Sequence, residues 1–414
     1  MAFAAALPAS AQWQKVCDAP EVEQVFVTSK GSVLVSSWDE MTGKGGIYRS
    51  TDNGDNFTKT RARNYRWNTF IEVRDSIIYT PGDGAHVARS LDDGATWQIL
   101  SFEGIISDYV SSKEMPYVTS YGMGYDPELK RIYVVVYADQ VGVVYSDDFG
   151  ETWQLTDRKT QLLNFGNGDI HMDVYYGAVF FKGYFYALGL YTIQRYLPET
   201  NRWETVVKNP NGLCITTEMD GVLYMGHALE IEPGYLLRTT ENFKDWGTTP
   251  LPAGQINAYV RALDNDGKML FYSWSSHGVF YSTDCAQTWN ECGTGLPTGT
   301  PGGFYTALAN NDDYLFTSCY SPMAQFNGVF RIAKSELTSG VSVVDSDQTQ
   351  VQYADNTLIV SGVESADIMV YDTAGRVVMS TKGTSCSLSH LAAGTYIYNV
   401  KIAGRTLSGK VVVL

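Results

Sequence analysis

The sequence predicts an all-β protein, a seven-bladed β-propeller followed by a small Ig-like β-sandwich. Three observations predict this fold class. Aromatic residues form 13% of the 414 residues and include 28 Tyr, a composition that favours strands. A short motif returns at intervals of roughly 40 to 56 residues, which is the period of propeller blades. Strand–turn–strand patterns precede the copies of this motif.

The motif consists of Ser, an Asp two residues later, and an aromatic residue seven positions after the Ser. Four copies carry all three residues; they read RSTDNGDNF, RSLDDGATW, YSDDFGETW and YSTDCAQTW, and they end at Phe57, Trp97, Trp153 and Trp289. Two weaker copies, RYLPETNRW and RTTENFKDW, end at Trp203 and Trp246. The spacing predicts one copy between the third and fourth strands of each of six blades.

Seven strand–turn–strand segments predict seven blades. Lys30-Gly31, Lys182-Gly183 and Asp220-Gly221 supply the left-handed conformations that tight hairpin turns require. No motif-bearing fourth strand follows the seventh segment. Residues 12–16 have the form of a fourth strand, so we expect this N-terminal strand to complete the last blade and close the ring.

The motif SxDxGxTW resembles the Asp-box, or bacterial neuraminidase repeat, of sialidase-like propellers, and the resemblance covers residues 12–340. From the residue types we expect a structural turn: Asp accepts backbone N–H bonds, Gly is left-handed, and Trp packs beside the neighbouring blade. Six copies cannot serve one active site. The residues assigned to this structural role are Ser50, Asp52, Gly54, Ser90, Asp92, Gly94, Trp97, Ser146, Asp148, Gly150, Trp153, Ser282, Asp284 and Trp289.

The catalytic pattern of sialidases does not accompany the repeats. Sialidases carry an Arg-Ile-Pro segment, an arginine triad and a Tyr nucleophile paired with Glu. The nearest string here is FRIA at residues 330–333, and sialidases have six blades. Seven-bladed propellers with Asp boxes also occur in xyloglucan hydrolases, which use paired acids across a cleft between two propellers, whereas this chain has one propeller. No catalytic residue is therefore carried over.

Charge and cysteine content limit the classes of partner. The formal net charge of −15 disfavours phosphate backbones and anionic lipid, so we expect neither nucleic-acid nor membrane-surface binding. No apolar run approaches the ~20 residues that span a bilayer. The six cysteines are scattered without a CxxC pair, and we predict no metal and no cofactor. Cys285 and Cys292 could form a disulfide in an oxidising compartment.

Residues 1–11 are interpreted as the remnant of a signal peptide. Small residues at Ala9 and Ala11 precede Gln12, as at a signal-peptidase site, although a basic n-region is missing. A disordered N-terminus is the alternative.

A ligand is expected at the face opposite the motif turns, in the loops after the second strands and between blades. Aromatic residues recur at the ends of the second strands and suit sugar rings; the alternative is that they only cap the blades. Arg61, Arg63 and Arg66 could bind an anion, and DIHMD would place Asp169, His171 and Asp173 on one strand face. The candidate ligand-binding residues are Trp38, Asp39, Tyr137, Asp139, His171, Asp173, Tyr191, His227, Arg261, Trp274, His277 and Tyr320.

A second domain follows residues 341–350, a polar linker with few aromatic residues. Residues 351–414 show short alternating strands and turn signals such as TAGR and AAGTY, which predict a small sandwich. The stretch resembles the C-terminal sorting domain of type IX secretion in Bacteroidetes, through Leu388, Leu391, Gly394, Tyr396 and Lys410 before VVVL. The resemblance implies export through that machinery; a structural or carbohydrate-binding sandwich is the alternative.

The sequence therefore predicts a secreted or outer-membrane-surface binding protein for a glycan or an extracellular polypeptide. The alternative is a glycoside hydrolase that uses acids in the loops of the ligand face. Two such acids about 5 to 10 Å apart would favour hydrolysis, and aromatic residues without paired acids would favour binding.

Overall fold

The computed structural model describes residues 12–39, 41–60, 62, 66–74, 76–106, 119–138, 141–157, 160, 162–164, 170–173, 175–208, 213–227, 235–245, 247–251, 260–274, 278–292, 294–296, 304–320, 327–338, 350–354, 356–361, 365–373, 375–402 and 405–413. The predicted signal-peptide remnant, residues 1–11, lies outside this set. The chain divides into two compact units, Met1–Thr338 and Ser339–Leu414.

The first unit contains seven four-stranded antiparallel sheets in the part of the chain that is described. It opens with β1 (Gln14–Cys17). Sheet 1 consists of β2 (Val22–Val27), β3 (Val33–Asp39), β4 (Lys44–Ser50) and β5 (Thr58–Lys59). Sheet 2 consists of β6 (Ile71–Arg74), β7 (Ile77–Pro81), β8 (His86–Ser90) and β9 (Gln98–Ser101), and a helical turn, α1 (Glu103–Ile106), follows it.

Sheets 3 and 4 flank a small additional hairpin. Sheet 3 consists of β10 (Thr119–Asp126), β11 (Arg131–Ala138), β12 (Val141–Ser146) and β13 (Gln154–Leu155). The strands β14 (Leu162–Asn164) and β15 (Ile170–Met172) pair in the connection to the next sheet. Sheet 4 consists of β16 (Tyr175–Phe181), β17 (Tyr184–Gly189), β18 (Thr192–Leu197) and β19 (Arg202–Lys208).

The last three sheets complete the first unit. Sheet 5 consists of β20 (Leu213–Met219), β21 (Val222–His227), β22 (Tyr235–Thr239) and β23 (Gly247–Pro250). Sheet 6 consists of β24 (Val260–Asn265), β25 (Leu270–Trp274), β26 (Gly278–Ser282) and β27 (Asn290–Glu291). Sheet 7 consists of β28 (Phe304–Asn310), β29 (Tyr314–Tyr320), β30 (Gly328–Ala333) and β1, and α2 (Lys334–Thr338) follows β30.

The N-terminal strand closes the ring as the sequence predicts. Strand β1 pairs antiparallel with β30, with Gln14 opposite Arg331, and so becomes the fourth strand of sheet 7. Trp13, just before β1, is buried and its indole N–H donates to the carbonyl of Cys292 in sheet 6. The N-terminal segment thus joins two sheets at once and leaves no unpaired edge on β30.

The hydrophobic core lies between the sheets. Each buried cluster of this unit is shared by two sheets that are consecutive in the ring. One cluster joins Val25 and Val35 of sheet 1 to Phe316 of sheet 7, which closes the circle. The others join sheets 1 and 2, 2 and 3, 3 and 4, 4 and 5, 5 and 6, and 6 and 7. The predicted all-β, propeller-like fold is confirmed.

Two of the three predicted hairpin turns use a pair of left-handed residues. Lys182 and Gly183 have φ of 48° and 82°, and Asp220 and Gly221 have φ of 54° and 75°. In the first turn only Gly31 is left-handed, with φ of 83°. These turns and the repeated motifs lie at one face of the ring. The loops after the second strands and the connections between sheets lie at the opposite face, called the loop face below.

The second unit is a sandwich of two antiparallel sheets. One consists of β31 (Gln350–Ala354), β32 (Thr357–Ser361) and β35 (Ser385–Ser387). The other consists of β33 (Ala366–Tyr371), β34 (Val377–Gly383), β36 (Gly394–Ile402) and β37 (Arg405–Val413). Leu388 is fully buried between them, and Leu391 and Tyr396 pack against the same core. Residues 341–349 of the predicted linker lie outside the described residues.

We predict that Gly328→Ala weakens closure of the ring. A Cβ at Gly328, whose φ is 142°, would come within 2.2 Å of the Cys17 carbonyl oxygen on β1. Relief of this clash requires β1 to move, so the free energy of unfolding should fall by about 1–3 kcal/mol. Urea unfolding measures it. Gly104→Ala, where the Cβ meets nothing within 4 Å, is the control, and equal stability of the two variants would contradict the prediction.

Candidate functional site

The repeated turn joins the third and fourth strands of sheets 1, 2, 3 and 6. In sheet 2 the Ser90 hydroxyl donates to Asp92 at 2.9 Å and accepts the Gly94 N–H at 2.8 Å. The Asp92 carboxylate accepts the N–H and hydroxyl of Thr96 at 2.8 and 2.6 Å. The same contacts surround Asp52, Asp148 and Asp284.

These bonds favour the ionised form of each carboxylate. Hydrogen bonds from Ser50 and Asn56 lower the pKa of Asp52 to about 2. Burial opposes the effect at Asp148, but bonds from Thr152 and Ser146 outweigh it and keep the pKa of that carboxyl below its usual value. A carboxylate held in this way is a poor proton donor at neutral pH, so the turn is suited to structure.

Sheet 5 makes an equivalent turn with its carboxylate in another position. Asp245 accepts N–H bonds from Thr240 and Glu241 and hydroxyl bonds from Thr239 and Thr240. Thr239 accepts the N–H of Phe243 at 3.1 Å, as the Ser hydroxyl does in other copies. The Thr240 hydroxyl bond, with the others, holds the pKa of Asp245 well below its usual value. The carboxylate lies six residues after Thr239 instead of two.

The weak copy that ends at Trp203 does not form this turn. Residues 198–201 make a tight hairpin between β18 and β19, with the Thr200 N–H donating to the Leu197 carbonyl. The copy has Pro198 and no Asp, and so lacks the acceptor on which the other turns depend. Trp246 lies outside the described residues.

The two adjacent carboxylates of sheet 2 serve different partners. Asp92 bonds within its own turn, whereas Asp93 accepts the Ser32 hydroxyl at 2.6 Å and the Arg49 guanidinium at 2.8 Å, both from sheet 1. Burial works to raise the pKa of Asp93, but the bonds from Ser32, Thr28 and Arg49 outweigh it and lower the pKa. Asp93 therefore joins sheet 2 to sheet 1, whereas Asp92 stabilises its own turn.

The turn also needs close approach to the preceding sheet. A Cβ at Gly94 would lie 2.6 Å from Leu34 of sheet 1, and one at Gly150 would lie 2.6 Å from Leu100 of sheet 2. The aromatic residue of each turn fills the same seam: Trp153 contacts Phe102 of the preceding connection at a ring distance of 5.5 Å. The Gly and the aromatic residue of the motif are therefore required both by the geometry of the turn and by its packing against the preceding sheet.

The loop face carries the predicted aromatic residues at the ends of the second strands. Trp38, Tyr137, His227, Trp274 and Tyr320 each lie in the last two residues of their strand, and Tyr191 follows β17 by two residues. The side chains described among them are those of Trp38, Tyr191 and Tyr320.

Asp39 anchors its own loop. Its carboxylate accepts the N–H groups of Met41 and Thr42, each at 3.0 Å, and the Thr42 hydroxyl at 2.7 Å. The Thr42 hydroxyl bond and the backbone bonds lower the pKa of Asp39. The loop exposes 95% of Met41, a residue that the sequence pattern does not single out. Asp39 thus positions an apolar side chain at the loop face.

Asp173 anchors a second loop in the same way, from a buried position. It accepts the Thr192 N–H and hydroxyl at 2.6 and 2.8 Å and the Tyr191 N–H at 3.1 Å. Its Oδ2 would lie 2.2 Å from a Cβ at Gly189, so only glycine fits there. The loop presents Tyr191 with 44% of its surface exposed.

Two further polar contacts of the loop face join neighbouring sheets. The Tyr320 hydroxyl donates to Glu21 at 3.1 Å, across from sheet 7 to the start of sheet 1. Arg66 pairs with Glu23 at 2.9 Å and so links sheet 1 to the connection before sheet 2. Neither glutamate is marked by a sequence motif. The predicted anion-binding cluster is only partly described, because Arg61 and Arg63 lie outside the described residues.

Several predicted residues are described by backbone position alone or not at all. His171 lies on β15 opposite Leu163, and Arg261 lies at a register shift near the start of β24. Asp139, Asp169 and His277 lie outside the described residues. Within the described residues, no group of three or more His, Cys, Asp or Glu is arranged to hold a metal ion.

The proposed cysteine pair is not bonded. Cys285 and Cys292 are both free thiols; Cys285 is exposed in the left-handed turn of sheet 6, whereas Cys292 is buried beneath the N-terminal segment. A pocket of about 110 Å³ adjoins Cys292 and is lined by Gly278, Val279, Glu291, Thr294, Gly295 and Leu296. It contains none of the predicted ligand-binding residues.

A comparison with protein families identifies the C-terminal part of the chain. Residues 332–414 match the family described as secretion system C-terminal sorting domain. This is the type IX sorting domain expected from the sequence, and it places the protein outside the cell or at the outer-membrane surface. None of the helices described is long and apolar enough to cross a membrane. A comparison with curated sequences found no relative.

Solved structures share the propeller-like fold at low identity. An extracellular domain of the one-component system BT4673 from B. thetaiotaomicron has a TM-score of 0.56 and 11% identity, over 98% of this chain and 59% of that one. YCF48 from Cyanidioschyzon merolae has a TM-score of 0.52 and 12% identity, over 78% and 98%. A structure of YCF48 bound to D1 peptide gives 0.53 and 12%, over 79% and 96%. This chain thus spans 59% of the length of the BT4673 domain.

We predict that Asp93→Asn loosens the joint between sheets 1 and 2. Asn tolerates the left-handed backbone, so the change removes chiefly the charge that Arg49 and Ser32 contact. The free energy of unfolding should fall by about 1–3 kcal/mol. Asp220→Asn, at another left-handed turn position, is the matched control. Equal urea midpoints for the two variants would contradict the prediction.

We predict that Asp173→Asn loosens the loop that carries Tyr191. An amide offers one acceptor oxygen and directs an NH2 group at donors, so Thr192 loses a buried partner at about 1–3 kcal/mol. Hydrogen exchange of residues 189–192 should become faster. Asp39→Asn, at the exposed loop, should cost less. Unchanged exchange in Asp173→Asn would show that the carboxylate does not hold the loop.

Proposed function

We propose that this protein is an extracellular binding protein that captures a polypeptide ligand on the loop face of its propeller. The observation that carries the proposal is the pair of anchored loops. Asp39 and Asp173 hold loops that expose Met41 and Tyr191, two apolar side chains on the same face. Loops fixed by carboxylates lose little conformational freedom on binding, which favours affinity.

Binding is favoured over hydrolysis by the state of these acids. A glycoside hydrolase needs one carboxyl group as proton donor and a second as nucleophile or base. Asp39 has a lowered pKa, and Asp173 accepts three hydrogen bonds from its loop. Both are therefore committed to loop structure, and we propose no catalytic role for them.

A polypeptide is favoured over a glycan by the residue types. Methionine and tyrosine are enriched at protein interfaces, and a flexible thioether adapts to apolar side chains. The solved structure of YCF48, a propeller of similar fold, is described as bound to a peptide. The negative charge of this chain, −15, further favours a ligand that is not strongly acidic.

The remaining parts fit this role. We propose that the repeated turns are Asp-box repeats with a purely structural function at the face opposite the ligand. The sorting domain would engage the secretion machinery, and the propeller would meet its ligand after export. A glycoside hydrolase is the second candidate function that the sequence suggests, but no observation in the described loops favours it.

Tyr191→Ala should weaken ligand binding without loss of stability, because 44% of the side chain is exposed. We would select ligands from a displayed random peptide library and measure their Kd by biolayer interferometry. The expected loss is tenfold or more, about 1.4 kcal/mol or more. Leu91→Ala, an exposed apolar side chain in a repeated turn, is the control for the opposite face.

Three outcomes decide the proposal. Binding that is weakened by Tyr191→Ala and not by Leu91→Ala supports the loop face. Equal loss in both variants would contradict it. Failure to select any peptide, together with signal on a glycan array or with chromogenic glycosides, would replace the polypeptide with a glycan ligand or substrate.

A further inference from the structure

Two asparagines occupy equivalent positions, as the last residues of the first strands of sheets 6 and 7. The Asn265 amide donates to the Thr217 hydroxyl at 2.7 Å and to the Glu218 carbonyl at 2.8 Å, both on sheet 5. The Asn310 amide donates to the Asp264 carboxylate at 2.8 Å and to the Asn265 carbonyl at 2.9 Å, both on sheet 6. Each asparagine therefore joins its own sheet to the preceding one.

The side-chain oxygens of the two asparagines have different partners. The Asn265 oxygen accepts the Gly267 N–H of its own turn at 3.0 Å. The Asn310 oxygen accepts a hydrogen bond at 3.1 Å from the ammonium of Lys334, the first residue of α2. Since the Asn310 nitrogen faces acceptors and its oxygen faces a donor, the contacts fix the orientation of this amide. The carbonyl of Asn310 thus faces an amine, and its nitrogen faces a carboxylate.

Lys334 also contacts a second carboxylate. Its ammonium donates to Asp266 at 2.6 Å, and only 10% and 12% of the two side chains are exposed. Buried apolar residues of one core cluster lie two or three positions away in the sequence, at Met269, Leu308 and Leu337. An amine, an amide and two carboxylates are therefore held together in a largely apolar setting at the end of the first unit.

We propose that Lys334 and Asn310 form an intramolecular isopeptide bond. Asp264 and Asp266 carry the protons of this reaction. Asp266 first accepts a proton from the Lys334 ammonium, a transfer that burial favours because it removes two charges. The Lys334 bond lowers the pKa of Asp266, so the ionic form is the resting state and the reaction is slow. The neutral amine then attacks the side-chain carbonyl carbon of Asn310, which adjoins the oxygen that it already contacts.

The leaving group is ammonia. Attack forms the bond between Lys334 Nζ and Asn310 Cγ and leaves Nζ positively charged. The Asp264 carboxylate takes one proton from Nζ and passes it to Asn310 Nδ2, with which it is already hydrogen-bonded. The Cγ–Nδ2 bond breaks, and the departing ammonia takes up the proton held by Asp266. One ammonium ion is released, both aspartates return to the ionised form, and nothing is oxidised or reduced.

The environment of Asp264 suits this transfer. Burial raises the pKa of Asp264 to about 7, although its hydrogen bonds and the charge of Lys334 oppose the rise. A carboxylate with a raised pKa accepts a proton more readily than an ordinary aspartate. Asn265 provides the contrast within the same fold, because Thr217 stands where Asn310 meets Asp264 and a backbone N–H stands where Asn310 meets Lys334.

The bond closes a loop from residue 310 to residue 334. This loop contains β29 and β30, and β30 is the partner of β1. The last sheet therefore keeps these strands together even while β1 is detached.

Mass spectrometry of the full chain, purified in folded form, tests the proposal. The intact mass should lie about 17 Da, one ammonia, below that of the unmodified chain. Cyclisation of an N-terminal Gln, or of an Asn-Gly pair such as Asn53-Gly54, gives the same loss, so tandem spectra of a tryptic digest locate it. The expected product is a branched peptide that joins Asn310 to Lys334, with Asn265 unmodified.

Four variants examine the chemistry. Lys334→Met should abolish the branched peptide, whereas Lys268→Met, at an exposed lysine of the neighbouring hairpin, is the matched control and should crosslink as the parent does. Asn310→Asp should release water instead of ammonia, a loss about one dalton larger. Asp264→Asn should slow the appearance of the branched peptide after refolding by about 100-fold or more.

Tryptic cleavage after an unmodified Lys334 in the folded parent, with no branched peptide, would overturn the proposal. This result is decisive whether or not the variants fold. A mass loss that persists in Lys334→Met would assign the loss to another site and overturn the proposal as well. Equal rates in the parent and in Asp264→Asn would contradict the role of Asp264 as proton carrier.

Discussion

One recurring contact holds neighbouring sheets of the ring together: a guanidinium on a third strand reaches the turn of the next sheet. Arg331, Arg49 and Arg89 donate to the carbonyls of Asn53, Asp93 and Phe149, which are the first left-handed residues of those turns. A carbonyl in this conformation lies outside the strand ladder, and a partly buried one needs a partner. The Arg at this place precedes the motif Ser in sheets 1 and 2. The turn is therefore shaped as much by the preceding sheet as by its own strands.

Local patterns predicted most of the first unit because the fold repeats them. The Ser–Asp–Gly–Trp spacing specifies a turn that is satisfied by its own side chains, so it reads clearly from the sequence. The motif of sheet 5 is harder to recognise in the sequence, because Asp245 accepts the hydrogen bonds of the turn from its opposite end. The sequence predicts a weak copy of the motif ending at Trp203, because this Trp keeps its position in the repeat. The segment has no Asp, and residues 198–201 form a tight hairpin instead. The sequence predicts the N-terminal strand at residues 12–16, whereas β1 spans Gln14–Cys17, because the ends of this strand are set by its pairing with β30.

The candidate site is harder to predict from the sequence than the fold. The sequence suggests Asp39 and Asp173 as ligand-binding residues, whereas in the structure both carboxylates accept hydrogen bonds that hold loops. Nothing in a single sequence separates an acid that faces a ligand from one that accepts backbone N–H groups. No motif surrounds Met41, Glu21 and Glu23, so the sequence alone does not single them out. Their importance comes from loops and sheets that meet only after folding.

The pairing of β1 with β30 has a consequence for the order of events during synthesis. Gln14 pairs with Arg331, so β1 is synthesised well before its partner strand, which follows more than 300 residues later. Contacts between such distant segments form slowly and late. Until β30 is available, β1 lacks its partner strand and its edge remains open to other strands, a state that invites aggregation. The ring therefore cannot close before the chain has been made as far as residue 331, directly before the residues that match the sorting domain.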